Sequence, residues 1–184
     1  YTAFGDHNTG VPSPPKTVIV SNAGNQPLTV SSISPVNAVF QRSGGSCGTV
    51  PFTVPAQSDC TLQYTFLTHN TGTFSDSVTL SVTGSAEATF LFNGVGVQAV
   101  LTILPSGGVH FFGTTPVGAT SAEAMGELRN DGNGSMVITS ITPATTPFVR
   151  SGGTCETPPF NLNRNTRKTL GYRYEPVQIG YSQT

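Results

Sequence analysis

Two stretches of this chain decide its fold: Phe40-Gln-Arg-Ser-Gly-Gly-Ser-Cys47 and Phe148-Val-Arg-Ser-Gly-Gly-Thr-Cys155. They stand 108 residues apart. Working outward from them, Phe4 to Asp76 aligns with Phe112 to Thr184 without a gap, at about 30% identity. A gapless match of this length indicates two copies of one fold. The period is too long for a solenoid unit and suits an immunoglobulin-like sandwich of about 100 residues. The expected modules are residues 1–98 and 99–184.

The first copy lacks a segment equivalent to Ala99–Val109, and the second lacks everything equivalent to Ser77–Gln98. The chain opens at Tyr1 without a Met, so a processed, trimmed or partial chain is expected.

Composition agrees with short strands and turns. Charged residues make up 9% of the 184 residues, far below the roughly 25% of an average domain. The chain has 21 Gly and 14 Pro, which disfavour helix, and 11 Phe and 5 Tyr, which supply a core. The net charge is −1. The one basic cluster, Arg164, Arg167, Lys168 and Arg173, reads as a solvated edge, so no nucleic acid is expected. No run reaches the roughly 18 apolar residues of a membrane span.

Comparing the copies separates inward from outward positions. Lys16–Ser21 reads as a strand with Val20 and Leu128 inward and Ile19 outward. The turn at residues 22–27 is matched at residues 130–135. Leu28–Ile33, matched by Met136–Ile141, is the next strand. Phe40 and Phe148 follow as core anchors. Leu62, Tyr64 and Phe66 alternate inward, repeated by Leu170, Tyr172 and Tyr174. Thr73–Val82 and Ala88–Val97 complete an antiparallel all-β set of about seven strands.

Cys47 and Cys60 flank a loop and are expected to form a disulfide, which points to an oxidising compartment. Cys155 matches Cys47, but Lys168 stands where the second cysteine would be, leaving Cys155 an unpaired thiol.

Each copy opens with Phe-Gly and a Gly five residues on (Phe4, Gly5, Gly10; Phe112, Gly113, Gly118). An Asn-x-Gly turn follows (Asn22, Gly24; Asn130, Gly132), then Phe40, Cys47 and Cys60-Thr-Leu, and Phe92-Asn-Gly-Val-Gly96 closes the first copy. This order resembles the bacterial choice-of-anchor D repeat, related to the ASPM/SPD-2/Hydin immunoglobulin-like modules. The resemblance implies seven-stranded sandwiches in arrays on secreted or surface-anchored bacterial proteins, with no catalytic residues.

Little else suggests chemistry. His7, His69 and His110 have no sequence neighbour suited to a triad or metal pair, so no catalytic residue, cofactor or metal site is expected. Asp131-Gly-Asn-Gly-Ser135 lacks the Gly and Glu of an EF-hand and reads as a hairpin turn. Asn133-Gly-Ser135 is a formal glycosylation sequon. The repeated Arg42-Ser-Gly-Gly and Arg150-Ser-Gly-Gly read as a structural turn or a binding loop.

The expected function is a non-catalytic structural module of an extracellular surface protein, stalk, adhesin or filament. Alternatives are a carbohydrate- or protein-binding accessory module and an intracellular scaffold module with reduced thiols. The expected partners are other copies or neighbouring modules, by strand addition at the second copy. There Leu128, Phe148 and Tyr172 are expected to be uncovered, and Tyr1–Phe4 reads as too short to donate a strand.

Overall fold

The computed structural model describes residues 1–34, 37–180 and 182. They form several β-sheets and one short 3-10 turn at Ser106–Gly108, consistent with a β-sandwich. The chain divides into Tyr1–Val97 and Gln98–Thr184.

The first unit holds β1 (Thr2–Asn8), β2 (Lys16–Asn22), β3 (Leu28–Ile33), β4 (Phe40–Gly44), β5 (Phe52–Val54), β6 (Ser58–Phe66), β7 (Gly72–Val82) and β8 (Ala88–Val97). One sheet runs β1-β8-β7-β3-β5 and the other β2-β6-β4. Alternation along the strands sends every second side chain inward. Val30, Val78, Leu80 and Phe92 of the first sheet meet Phe40, Leu62, Tyr64 and Phe66 of the second in one core. Phe92 lies 5.3 Å from Phe40 and 4.7 Å from Tyr64 between ring centroids. Val20 is half-buried and Ile19 is 62% exposed, so β2 faces the core as its alternation requires.

The second unit holds β9 (Leu101–Leu104), β10 (Ala124–Asn130), β11 (Met136–Ile138), β12 (Phe148–Gly152), β13 (Phe160–Leu162) and β14 (Arg167–Tyr174). Its sheets are β12-β14-β10-β9 and β11-β13. Shifted by 108 residues, β2, β4 and β5 fall on β10, β12 and β13 residue for residue. The backbone repeats as well. Gln57 and Asn165 share a φ of 55°, and the peptide bonds before Pro51 and Pro159 are both cis.

The differences between the units follow from strand partners. β3 lies between β5 and β7 and runs to Ile33, whereas β11, among the described residues, pairs with β13 alone and stops at Ile138, short of the expected Ile141. β1 pairs in parallel with β8, and its counterpart at residues 110–116 forms no strand. The N-terminal segment forms the strand Thr2–Asn8, paired within its own unit.

One side chain ties the two sheets of each unit together. Asn22, at the end of β2, is 6% exposed. Its Nδ2 donates to the carbonyls of Gln26 (2.8 Å), Val54 (3.0 Å) and Pro55 (3.1 Å), while its Oδ1 accepts from Gly24 N–H (3.0 Å). Asn130 is fully buried and repeats the pattern with Gly134 O (2.8 Å), Leu162 O (3.0 Å) and Gly132 N–H (3.0 Å). The clamp also corrects the reading of residues 131–135 as a hairpin. β10 and β11 belong to different sheets, so this turn carries the chain from one sheet to the other.

Replacing Asn22 or Asn130 by Ala strips several buried backbone groups of their partner at once. Each change is expected to destabilise its own unit by about 2–3 kcal/mol in denaturant unfolding. A loss below about 0.5 kcal/mol, the level of an ordinary surface substitution, would contradict the clamp.

Candidate functional site

Three places on the chain gather features a site could use: the repeated Arg-Ser-Gly-Gly loop, the scattered ionisable residues, and an open face on the second unit.

The loop after β4 is built against β6. Pairing of β4 with β6 shifts register between Arg42 and Gly44, which turns the chain back over Thr61. Gly45 has φ +110°, and a Cβ there would lie 2.1 Å from Thr61 O, so only glycine fits. Ser46 and Thr61 exchange backbone and hydroxyl hydrogen bonds of 3.0 and 3.1 Å. The Arg42 guanidinium donates to Gly48 O. The second unit repeats this with Gly153 over Thr169 O, with Thr154 and Thr169, and with Arg150 Nη2 donating to Cys155 O at 2.6 Å. The arginine, the second glycine and the paired hydroxyls thus shape this loop as a turn packed on the long strand.

The covalent chemistry differs between units. Cys47 and Cys60 form a disulfide across a Cα–Cα distance of 4.9 Å, joining the loop to β6. Cys155 is a buried free thiol, and burial pushes its pKa up against the pull of Arg150 and Lys168. At the position of the second cysteine, Lys168 Nζ binds Glu156 Oε1 at 2.6 Å and sits 5.4 Å above the Phe160 ring. Glu156 corresponds to Gly48, so an ion pair joins the segments that the disulfide joins in the first unit. The sequence marks the loss of the cysteine but gives no sign of this replacement, because Glu156 acquires meaning only through its distance to Lys168.

The other ionisable residues form no common centre. His7 Nε2 donates to Phe4 O at 3.0 Å, His69 is exposed, and exposed His110 meets only the edge of Phe112. On β14, Arg167 and Arg173 share one face about 20 Å apart while Lys168 faces the other way. Arg167 lies 3.8 Å from Glu127. Asp131 is held by Arg129 at 2.5 Å, and that hydrogen bond keeps its carboxyl below the usual carboxylate range. Asn133 Oδ1 accepts from Gln98 N–H at 2.7 Å. Among the described residues, no group of three or more His, Cys, Asp or Glu could hold a metal ion, and no helix is long and apolar enough to cross a membrane.

The third place is a groove of about 380 Å³ on the second unit, lined by Ile141, Thr142, Phe148, Arg150, Pro158 and Tyr172 among others. Phe148 and Tyr172 are half-buried, whereas their counterparts Phe40 and Tyr64 are 1% and 2% exposed. Leu128, expected to be uncovered with them, is instead 8% exposed. It belongs to one buried cluster with Ile138, Phe160, Leu162 and Leu170.

No family model matches this chain, and no curated protein does. Among solved structures it is similar to a protein of unknown function from Porphyromonas gingivalis W83. That match has 13% identity and a TM-score of 0.42, covering 94% of this chain and 79% of the other. It is also similar to the secreted serine protease VesC from Vibrio cholerae, at 9% identity and a TM-score of 0.38, covering 94% of this chain and 45% of the protease.

The two staples differ in strength. Closing the Cys47–Cys60 loop contributes about 3 kcal/mol, whereas a partly exposed ion pair contributes about 0–1 kcal/mol. Reduction is therefore expected to weaken the first unit by about 3 kcal/mol and leave the second unchanged. Lys168→Cys should let residue 168 bond to Cys155 and strengthen the second unit. Non-reducing peptide mapping and unfolding curves check both, and a wild-type protein with three titratable thiols would contradict the assignment.

Proposed function

We propose that this chain is a non-catalytic structural segment made of tandem immunoglobulin-like β-sandwich modules, belonging to an extracellular bacterial surface protein, stalk, adhesin or filament. One observation carries the reading: four polar positions that recur in both copies serve the scaffold. Asn22 and Asn130 clamp sheets. Ser13 and Ser121 each bond the last residue of the long strand, with hydroxyl acceptance from Phe66 N–H and Tyr174 N–H at 2.9 Å. Thr61 and Thr169 fix loops, and Arg42 and Arg150 hold carbonyls.

The choice-of-anchor D resemblance supports the array and the surface location. The disulfide supports an oxidising compartment. The two-sheet core and the clamp that joins its sheets support the sandwich assignment.

The test is a broad hydrolase screen with ester, peptide and glycoside substrates, run on the wild type and on His7→Ala, His69→Ala and His110→Ala. No turnover above buffer is expected. Hydrolysis that disappears in any one of these variants would overturn the proposal.

A further inference from the structure

The groove on the second unit has a counterpart on the first, where the covering element is visible. Ile33 pairs with Leu80, and Val30 with Val82. Ser34 N–H donates to Thr79 O and Thr79 N–H to Ser34 Oγ, both at 2.9 Å. Phe92 stacks on Phe40, and both Phe90 and Phe92 lie against Tyr64. Thus the β7–β8 hairpin covers this face. The second unit keeps the receiving side chains in place: Ile138 for Val30, Ile141 for Ile33, Thr142 for Ser34, Phe148 for Phe40 and Tyr172 for Tyr64. Three aromatic rings, Phe112, Phe148 and Tyr174, pack together within 6.2 Å. Their counterparts Phe4, Phe40 and Phe66 are joined by Phe92. Among the described residues, the edge of β11 away from β13 has no strand partner.

We propose that this face of the second unit docks a β-hairpin with the side-chain pattern of β7–β8. Its first strand would run antiparallel to β11, with apolar residues opposite Ile138 and Ile141. Its second strand would set an aromatic ring between Phe148 and Tyr172. That second strand also offers a parallel edge to residues 110–116, as β8 does to β1, so docking orders those residues into a strand. An intact second copy does not supply the hairpin. In the first unit β7 and β8 are paired on both sides, and Val78, Leu80 and Phe92 are at most 3% exposed. The occupant is therefore a hairpin of this repeat type that is not already engaged in a core. The inference rests on the tandem-module reading.

The test titrates the full chain with a synthetic peptide of residues Gly72–Val97 and follows amide hydrogen exchange. The expected result is saturable one-to-one binding with new protection at residues 136–141 and 110–116. A peptide carrying Leu80→Ser and Phe92→Ser should bind at least about tenfold more weakly, as loss of a central apolar anchor requires. In a second arm the same peptide sequence is joined to the chain in repeat register, with its Gly72 falling on position 180. This arm removes any effect of peptide self-association and should give the same two protected segments. Binding without protection at 110–116 would overturn the inference. So would protection lost from β7–β8 of the chain itself, self-association of the chain without peptide, or an unprotected 110–116 in the joined form. Hydrolase activity would refute the non-catalytic function without touching these protections, so the two failures are distinguishable.

Discussion

A single buried carboxamide in each unit sets the relation between its sheets. A side-chain amide has two N–H donors and an acceptor oxygen, enough to serve several backbone groups where water is excluded. Asn22 sits where the chain leaves β2, and its amide reaches the carbonyls of Val54, the last residue of β5 in the opposing sheet, and of Pro55 just beyond it. Without it, the crossover would bury carbonyls and an N–H with no partner, each costing about 1–3 kcal/mol. The same geometry at Asn130, 108 residues later, shows that the crossover belongs to the fold and not to one local sequence.

From that shared frame the units diverge where their neighbours differ. The first has a core of five rings, Phe4, Phe40, Tyr64, Phe66 and Phe92, closed on one side by β7 and β8. The second keeps a smaller buried cluster around Leu162 and Leu170 and an open aromatic face. The staple differs too: a covalent link in the first unit is an ion pair resting on Phe160 in the second.

Much of this was legible in the sequence because the repeat supplies a comparison. Positions apolar in both copies, such as Leu62 and Leu170, could be placed inside, and Ile19, matched by Glu127, could be placed outside. The loss of a second cysteine was equally plain. What escaped depends on pairing between distant residues. β1 contains Gly5, Asp6 and Asn8, poor strand formers, and is held by parallel bonds to β8 far along the chain. The turn at residues 131–135 has hairpin composition, yet composition does not report whether the strands it joins are paired. The burial of Leu128 depends on three-dimensional packing and leaves no mark in its local sequence. For the Lys168–Glu156 pair, twelve residues of separation carry no signal before folding.

The central claim is that two copies of one scaffold are each locked by a buried asparagine. Hydrogen exchange of the side-chain amides measures it directly by NMR. The account predicts slow exchange for the Nδ2 hydrogens of both Asn22 and Asn130, against fast exchange for exposed Asn25 and Asn133. Exchange at Asn22 and Asn130 as fast as at the two exposed residues would contradict it.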